Sequence, residues 1–311
     1  TLGLPFATVL AILSAILRCS GDTRTPLILN SMANVLNAIL NFFLIYETRT
    51  QWGITIPGAG MGVGGAALAS AMALCCAALL MLRTVLFNKS RPLSCSPEET
   101  YRPDGAIIRQ ALRLGLPYIG ERLTVNIGQI FMTWLVAGVG TVALAANQIA
   151  TTAEGLCYQP AYGISFAATA LVGQAVGANR RDMAKNFAWL CTGMGIGIMA
   201  LTGAGMYLFA PNLMGIFTAD TAVIALGAQV LRIEALAEPM FGASIVASGA
   251  MQGAGDSAGC FVLNLVSMWG IRLTLATLLA PRFGLVGVWF AMSFELTMRG
   301  VLFLVRLARG R

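Results

Sequence analysis

AKNFAWLCTGMGIGIMALTGAGMYLFA, residues 184–210, holds one charge, Lys185 near its start, followed by 25 residues with none. At the helical rise of ~1.5 Å per residue this would extend about 38 Å, enough to cross the ~30 Å hydrocarbon core of a bilayer. A strand of an outer-membrane barrel would instead alternate apolar and polar side chains. Uncharged runs of this kind recur from one end of the chain to the other. The stretch therefore predicts an all-α, polytopic membrane protein. Composition agrees, with 57% of the 311 residues apolar and 11% charged, a mean hydropathy of +0.77, and soluble domains carrying about a quarter charged residues.

Outward from this stretch, Gly, Pro and polar clusters divide the chain into nine predicted spans: 1–20, 26–46, 60–86, 109–138, 142–173, 184–210, 222–252, 258–280 and 284–306. Assigning the breaks alternately to two sides puts fourteen of the 20 Lys and Arg residues on one side and only Arg49 and Arg282 on the other. Arg122, Arg232, Arg272 and Arg299 fall inside spans. The positive-inside rule makes the basic side cytoplasmic, and the C-terminus with it. The net charge of +7 is thus a topology signal, and no nucleic-acid partner is expected.

A repeat organises the spans. At an offset of 234, Pro5 matches Pro239, Gly21-Asp22 matches Gly255-Asp256 and Asn30 matches Asn264. After a gap, Gly62-Val-Gly-Gly65 resembles Gly284-Leu-Val-Gly287. Two six-span lobes related by an axis along the membrane normal would produce this pattern. The second copy starts near Ile107, and its spans over 109–210 have no counterpart upstream. The expected whole is a twelve-helix protein, N-terminally truncated here, with about nine helices present: part of span four and spans five to twelve. Residues 1–88 would be the remainder of the N-terminal lobe, 89–106 a polar cytoplasmic linker, and 107–311 the six-helix C-terminal lobe.

No His is present, which excludes imidazole metal sites and His-based acid–base chemistry. Neither a Ser-Lys dyad nor a paired Asp is evident, so no enzyme and no metal site is expected. The seven Cys lack C-x-x-C spacing and read as small core residues. Ionisable groups inside spans are the strongest signals, each costing ~2.5–3.5 kcal/mol on insertion scales. They are Glu121, Glu154, Glu234, Glu238 and Glu295, all in the second half. Convergence of Glu121, Glu154, Glu234 and Glu238 would create a site able to take up H⁺ or Na⁺. The alternative is structural pairing with Arg. Arg299 stands four residues after Glu295 on one helix face, whereas Arg272 has no partner on its own helix and needs a Glu from another. Asn30, Asn34, Asn37 and Asn41 form a polar stripe, which serves either as interhelical glue or as a cavity wall. Gln148 and Gln174 are further candidate amides, and Asp22 and Asp256 read as turn and capping residues.

Leu17-Arg-Cys-Ser-Gly-Asp-Thr-Arg-Thr-Pro26 with the Asn stripe, Leu114-Gly-Leu-Pro117, Ala145-Ala-Asn-Gln-Ile149, Val172-Gly-Gln-Ala-Val-Gly-Ala178, and Gln252-Gly-Ala-Gly-Asp256 with Arg272 form an ordered set. Through this set the chain resembles the MATE (multidrug and toxic compound extrusion) transporters across all nine spans. The resemblance implies a two-lobed, monomeric antiporter of the plasma (inner) membrane. Such a protein exports small organic compounds, cationic or amphiphilic, by alternating access in exchange for Na⁺ or H⁺, with no cofactor beyond the coupling ion. Some family members hold that ion with a Glu on span seven and an acid on span ten. Glu121 is similar to the first, and Glu238 or Glu234 stands near the second. Others use an Asn followed four residues on by an Asp. Asn37 matches the Asn, but Asn41 replaces the Asp, and an amide does not titrate. Coupling is therefore expected in the C-terminal lobe, with Asn37, Asn41, Gln148, Gln174 and Arg272 as cavity residues. The alternative is a lipid-linked oligosaccharide flippase of the same superfamily, which would need a strongly cationic cavity.

Overall fold

The computed structural model describes residues 3–51, 54–87 and 104–309. Most of the linker predicted over 89–106, and the C-terminal Arg311, lie outside them. The chain divides into two compact units, Thr1–Arg102 and Pro103–Arg311.

The first unit contains α1 (Leu4–Cys19), α2 (Arg24–Leu44) and α3 (Gly62–Phe87). Pro5 sits in the first turn of α1, where its missing N–H would have had no partner. Leu10, Leu17, Ala33, Ala77 and Met81 form the buried seam among the three helices. Between the predicted spans 26–46 and 60–86, the described residues form an antiparallel pair of strands, β1 (Glu47–Gln51) with β2 (Ile54–Ala59). Thr48 and Thr50 in β1 and Ile54, Thr55 and Ile56 in β2 are residue types that favour strands.

The second unit runs through α4 (Gly105–Ala137), α5 (Thr141–Gly177), α6 (Arg181–Phe217), α7 (Thr221–Ala235), α8 (Glu238–Gly253) and α9 (Ser257–Leu265). A π-helical segment (Val266–Leu273) and α10 (Thr274–Arg309) complete it. α10 is interrupted at Gly284, whose φ of 58° is open to glycine, so it holds the end of one predicted span and all of the next. The predicted span 222–252 is corrected: it is two helices, broken at Leu236 and Ala237. Pro239 accounts for it, because it supplies no N–H for the Ala235 carbonyl four residues before it. Glu234 and Glu238 consequently flank the break.

α8 packs against α5, α6 and α10. Its approach to α5 depends on Gly249 and Gly253. A Cβ on Gly249 would lie 2.7 Å from the Ser165 carbonyl oxygen, and one on Gly253 would lie 2.9 Å from Thr169 Cα. Across this close seam Ser165 Oγ donates to the Ile245 carbonyl and Thr169 Oγ1 to the Gly249 carbonyl, each at 2.9 Å. Small residues and hydroxyl bonds of this kind hold helices together where both faces are already apolar.

Among the described residues, Arg24–Leu44, Gly62–Leu86, Arg181–Phe217 and Ser257–Arg309 are long and apolar enough to cross a membrane on their own. α7 and α8 are shortened by the break to 15 and 16 residues. α4 is diluted by Glu121, Arg122, Asn126 and Gln129, all of which line a cavity.

The two units repeat local conformation at the offset seen in the sequence. α1 and α8 have 16 residues each, and Gly21 and Gly255 both adopt φ 90°. Asp22 Oδ1 accepts from Thr25 N at 3.1 Å, and Asp256 Oδ1 accepts from Gly259 N at 3.0 Å, so each caps the helix that follows.

Candidate functional site

Within the second unit, α4, α5, α8, the π-helical segment and α10 enclose a cavity of about 400 Å³. Helical spacing builds its walls. On α4, Tyr118, Arg122, Asn126 and Gln129 recur at three or four residues, with Glu121 beside them. On α5 the same spacing joins Thr151, Glu154, Tyr158, Tyr162, Ser165 and Thr169. Aromatic rings close one side, Tyr158 meeting Tyr162 and Phe241 edge-on with centroids 5.7 and 5.8 Å apart.

Glu121 is 7% exposed. Its Oε1 accepts from Asn264 Nδ2 at 3.0 Å and its Oε2 from Gln252 Nε2 at 3.3 Å, so one carboxylate ties α4 to α8 and α9. Asn264 Oδ1 in turn accepts from Arg299 Nη1 at 3.3 Å. Behind Arg299 lies the fully buried Glu295, which accepts from the Ser267 hydroxyl and from Arg272 Nε at 2.9 Å. Arg272 Nη2 is 2.7 Å and Arg299 Nε 3.3 Å from the same carboxylate. Arg272, expected to need a Glu on another element, finds Glu295.

Glu154 lines the cavity. Glu234 and Glu238 are fully buried and lie outside its lining. Glu234 Oε2 accepts from Ser293 Oγ at 2.7 Å, while its Oε1 and both oxygens of Glu238 meet no donor. Glu154, Glu234 and Glu238 stand close enough to act on one another electrostatically. Among the described residues, no three acidic or Cys side chains converge as ligands for a metal.

The other sequence candidates fall elsewhere. In the first unit Asn37 Nδ2 donates to Ser70 Oγ at 3.1 Å, and Asn41 Nδ2 donates to Asn37 Oδ1 at 3.0 Å. Asn41 Oδ1 is buried and meets no donor. Gln148 and Gln174 lie on exposed parts of α5, outside the cavity lining.

The cavity charge is mixed. Glu121 and Glu154 face Arg122, Arg272 and Arg299, but Glu295 engages the last two. Arg122 is held on Tyr118, 2.9 Å from the hydroxyl and 5.2 Å from the ring centroid. Sequence reasoning singled out Glu121 and Glu154 but missed Gln252, Asn264 and Ser267 as parts of the site. For Asn264 the repeat match to Asn30, and for Gln252 its place at the head of the Gln252–Asp256 motif, was the available signal. For Ser267 there was none, since a hydroxyl in an apolar helix is commonplace.

A model of the MatE family matches residues 117–278, more than half of the chain, and so contains Glu121, Glu154, Glu234, Glu238 and Arg272. The "Uncharacterized transporter YisQ" of Bacillus subtilis is 27% identical over 303 residues, 96% of this chain and 65% of that protein. A "Probable multidrug resistance protein NorM" of Thermotoga maritima is 26% identical over 309 residues, 98% of this chain and 64% of that one. The chain thus spans less than two thirds of the length of these curated relatives. A crystal structure of the Vibrio cholerae MATE transporter VcmN in the bent form shares the fold, with a TM-score of 0.86 at 18% identity over 99% of this chain and 67% of that one.

Proposed function

The chain belongs to the MatE family of multi-pass membrane transporters, which are not enzymes, and from that premise we propose that the protein carrying it is a secondary active antiporter. It exports organic compounds, cationic or amphiphilic, in exchange for Na⁺ or H⁺, by alternating access. The observation that carries this reading is Glu121, a carboxylate in the cavity wall whose hydrogen bonds, among the described residues, come from two neutral amides. A proton or Na⁺ reaching it neutralises the acceptor and weakens two charge-assisted hydrogen bonds at once. Those bonds join α4 to α8 and α9, so occupancy by the ion biases their packing, which is what coupling requires. The cavity volume suits a small organic molecule, and the Tyr158 and Tyr162 rings are available to a cation, whereas Tyr118 and Phe241 already carry Arg122 and Arg299. Because Glu121, Glu154 and Glu295 together balance Arg122, Arg272 and Arg299, the cavity lacks the excess positive charge a pyrophosphate-linked lipid would need.

The test is uptake of a fluorescent organic cation into inside-out vesicles carrying the complete gene product, under an imposed Na⁺ gradient or pH gradient. One gradient should drive uptake, and Glu121→Gln should abolish it with the protein still inserted. Ion-driven uptake that survives Glu121→Gln would remove this residue from coupling. Wild-type protein that is inserted but idle under both gradients would favour the flippase.

A further inference from the structure

We propose that the π-helical segment Val266–Leu273 is a positioning device for Glu121, and that Ser267, which does not touch Glu121, sets how readily that carboxylate accepts its cation. The inference rests on the reading of Glu121 as the coupling carboxylate. Ser267 and Arg272 are five residues apart. In an α-helix they would point about 140° from each other. In a π turn, closed by bonds between residues five apart, they come onto one side. Both reach Glu295, Ser267 by its hydroxyl and Arg272 through two nitrogens at 2.9 and 2.7 Å.

The consequence travels along α10 to α9. Glu295 sits one turn from Arg299 and is 3.3 Å from its Nε, with Ser267 and Arg272 sharing the remaining acceptor capacity. Arg299 Nη1 is thereby left to donate to Asn264 Oδ1. An amide has two orientations, and here two charges choose between them. The guanidinium requires the oxygen and the Glu121 carboxylate requires the NH₂ group, which it receives at 3.0 Å. A fixed NH₂ on Glu121 competes with an incoming ion for the same oxygen. Without the Ser267 hydroxyl, Glu295 draws Arg299 closer and Asn264 loses the partner that orients it. The cation then meets less competition at Glu121.

The experiment measures cation-driven transport by the complete protein as a function of driving-cation concentration, in vesicles, for Ser267→Ala, Ser267→Thr, Asn264→Leu and the Ser267→Ala/Asn264→Leu pair. Ser267→Ala should lower the half-saturating cation concentration roughly threefold or more, the scale of one weakened hydrogen bond to a charged group. Ser267→Thr, which keeps the hydroxyl, should restore the wild-type value. Asn264→Leu should shift in the same direction, and adding Ser267→Ala to it should produce no further shift, because Ser267 acts through Asn264. A purely structural Ser267 would lower the maximal rate or the amount of protein and leave half-saturation in place, and that result overturns the proposal. Additive shifts in the double variant also overturn it. If Glu121→Gln leaves the cation dependence intact, the coupling reading itself has failed. If Glu121→Gln abolishes it while Ser267→Ala shifts nothing, only this inference falls.

Discussion

Glu295, fully buried, divides two oxygens among a hydroxyl and two guanidinium groups. Removing its charge leaves Arg272 and Arg299 facing each other unopposed, and breaking a buried ion pair on one side costs about 3–5 kcal/mol. Glu295→Gln should therefore lower the apparent melting temperature in detergent markedly. A thiol-reactive dye that reports exposure of the fully buried Cys260, with the other cysteines replaced by serine, would measure it. Glu154→Gln, on the cavity wall, should leave it nearly unchanged, and equal losses in the two variants would refute the contrast. Charges in apolar runs are legible in a sequence because their cost demands a partner, and Glu295 with Arg299 was visible by spacing alone. Arg232 shows the limit. Pro211 has no N–H for the Tyr207 carbonyl four residues before it, and Arg232 Nε donates there at 3.4 Å. A partner that is a backbone atom of another helix leaves no mark in the sequence. The same holds for Asn264 and Gln252, whose importance comes from what they face.

Helices pack here by closeness more than by interlocking bulk, and α5 against α8 is the clearest case. At Gly253 a methyl group would meet the Thr169 backbone, which cannot move without displacing α5, whereas a Cβ on Gly193 meets nothing within 4 Å. Gly253→Ala should thus destabilise by about 1–3 kcal/mol through overpacking, and Gly193→Ala should stay within ~0.5 kcal/mol of wild type. Parallel thermal unfolding of the two variants decides it, and matching curves would refute the close-approach argument. Element existence was legible because hydropathy marks long apolar runs, and the nine predicted spans correspond to helical stretches in order. What hydropathy does not register is a change of backbone inside a run. Pro239 lies among apolar neighbours, so the break between α7 and α8 went unread. The π-helical segment changes hydrogen-bond register without changing composition. Both irregularities sit beside buried carboxylates, where widened or broken turns bring side chains together that α-helical spacing would keep apart.

At the scale of the molecule, the repeat explains why the same turn chemistry recurs. Gly at φ 90° followed by a capping Asp ends α1 and α8 alike, at positions 234 residues apart. If each copy holds six spans, corresponding turns are expected on the same side of the bilayer. Basic residues assign that side. In the second unit the turn after α5 carries Arg180, Arg181 and, one turn on, Lys185, whereas the turns near 219 and 282 carry Arg282 alone. One span is expected between Ala178 and Ala219 and three between Ala178 and Arg282, so both are predicted to lie opposite Ala178, which the positive-inside rule predicts to be cytoplasmic. Each of the three positions is exposed. With native cysteines replaced by serine, Ala219→Cys and Arg282→Cys in the complete protein should react with a membrane-impermeant maleimide added to intact cells. Ala178→Cys should react only after permeabilisation. The reverse pattern would invert the orientation and place the C-terminus outside. Reaction of all three from one face would overturn the span count itself, and with it the repeat-based expectation of six spans per lobe.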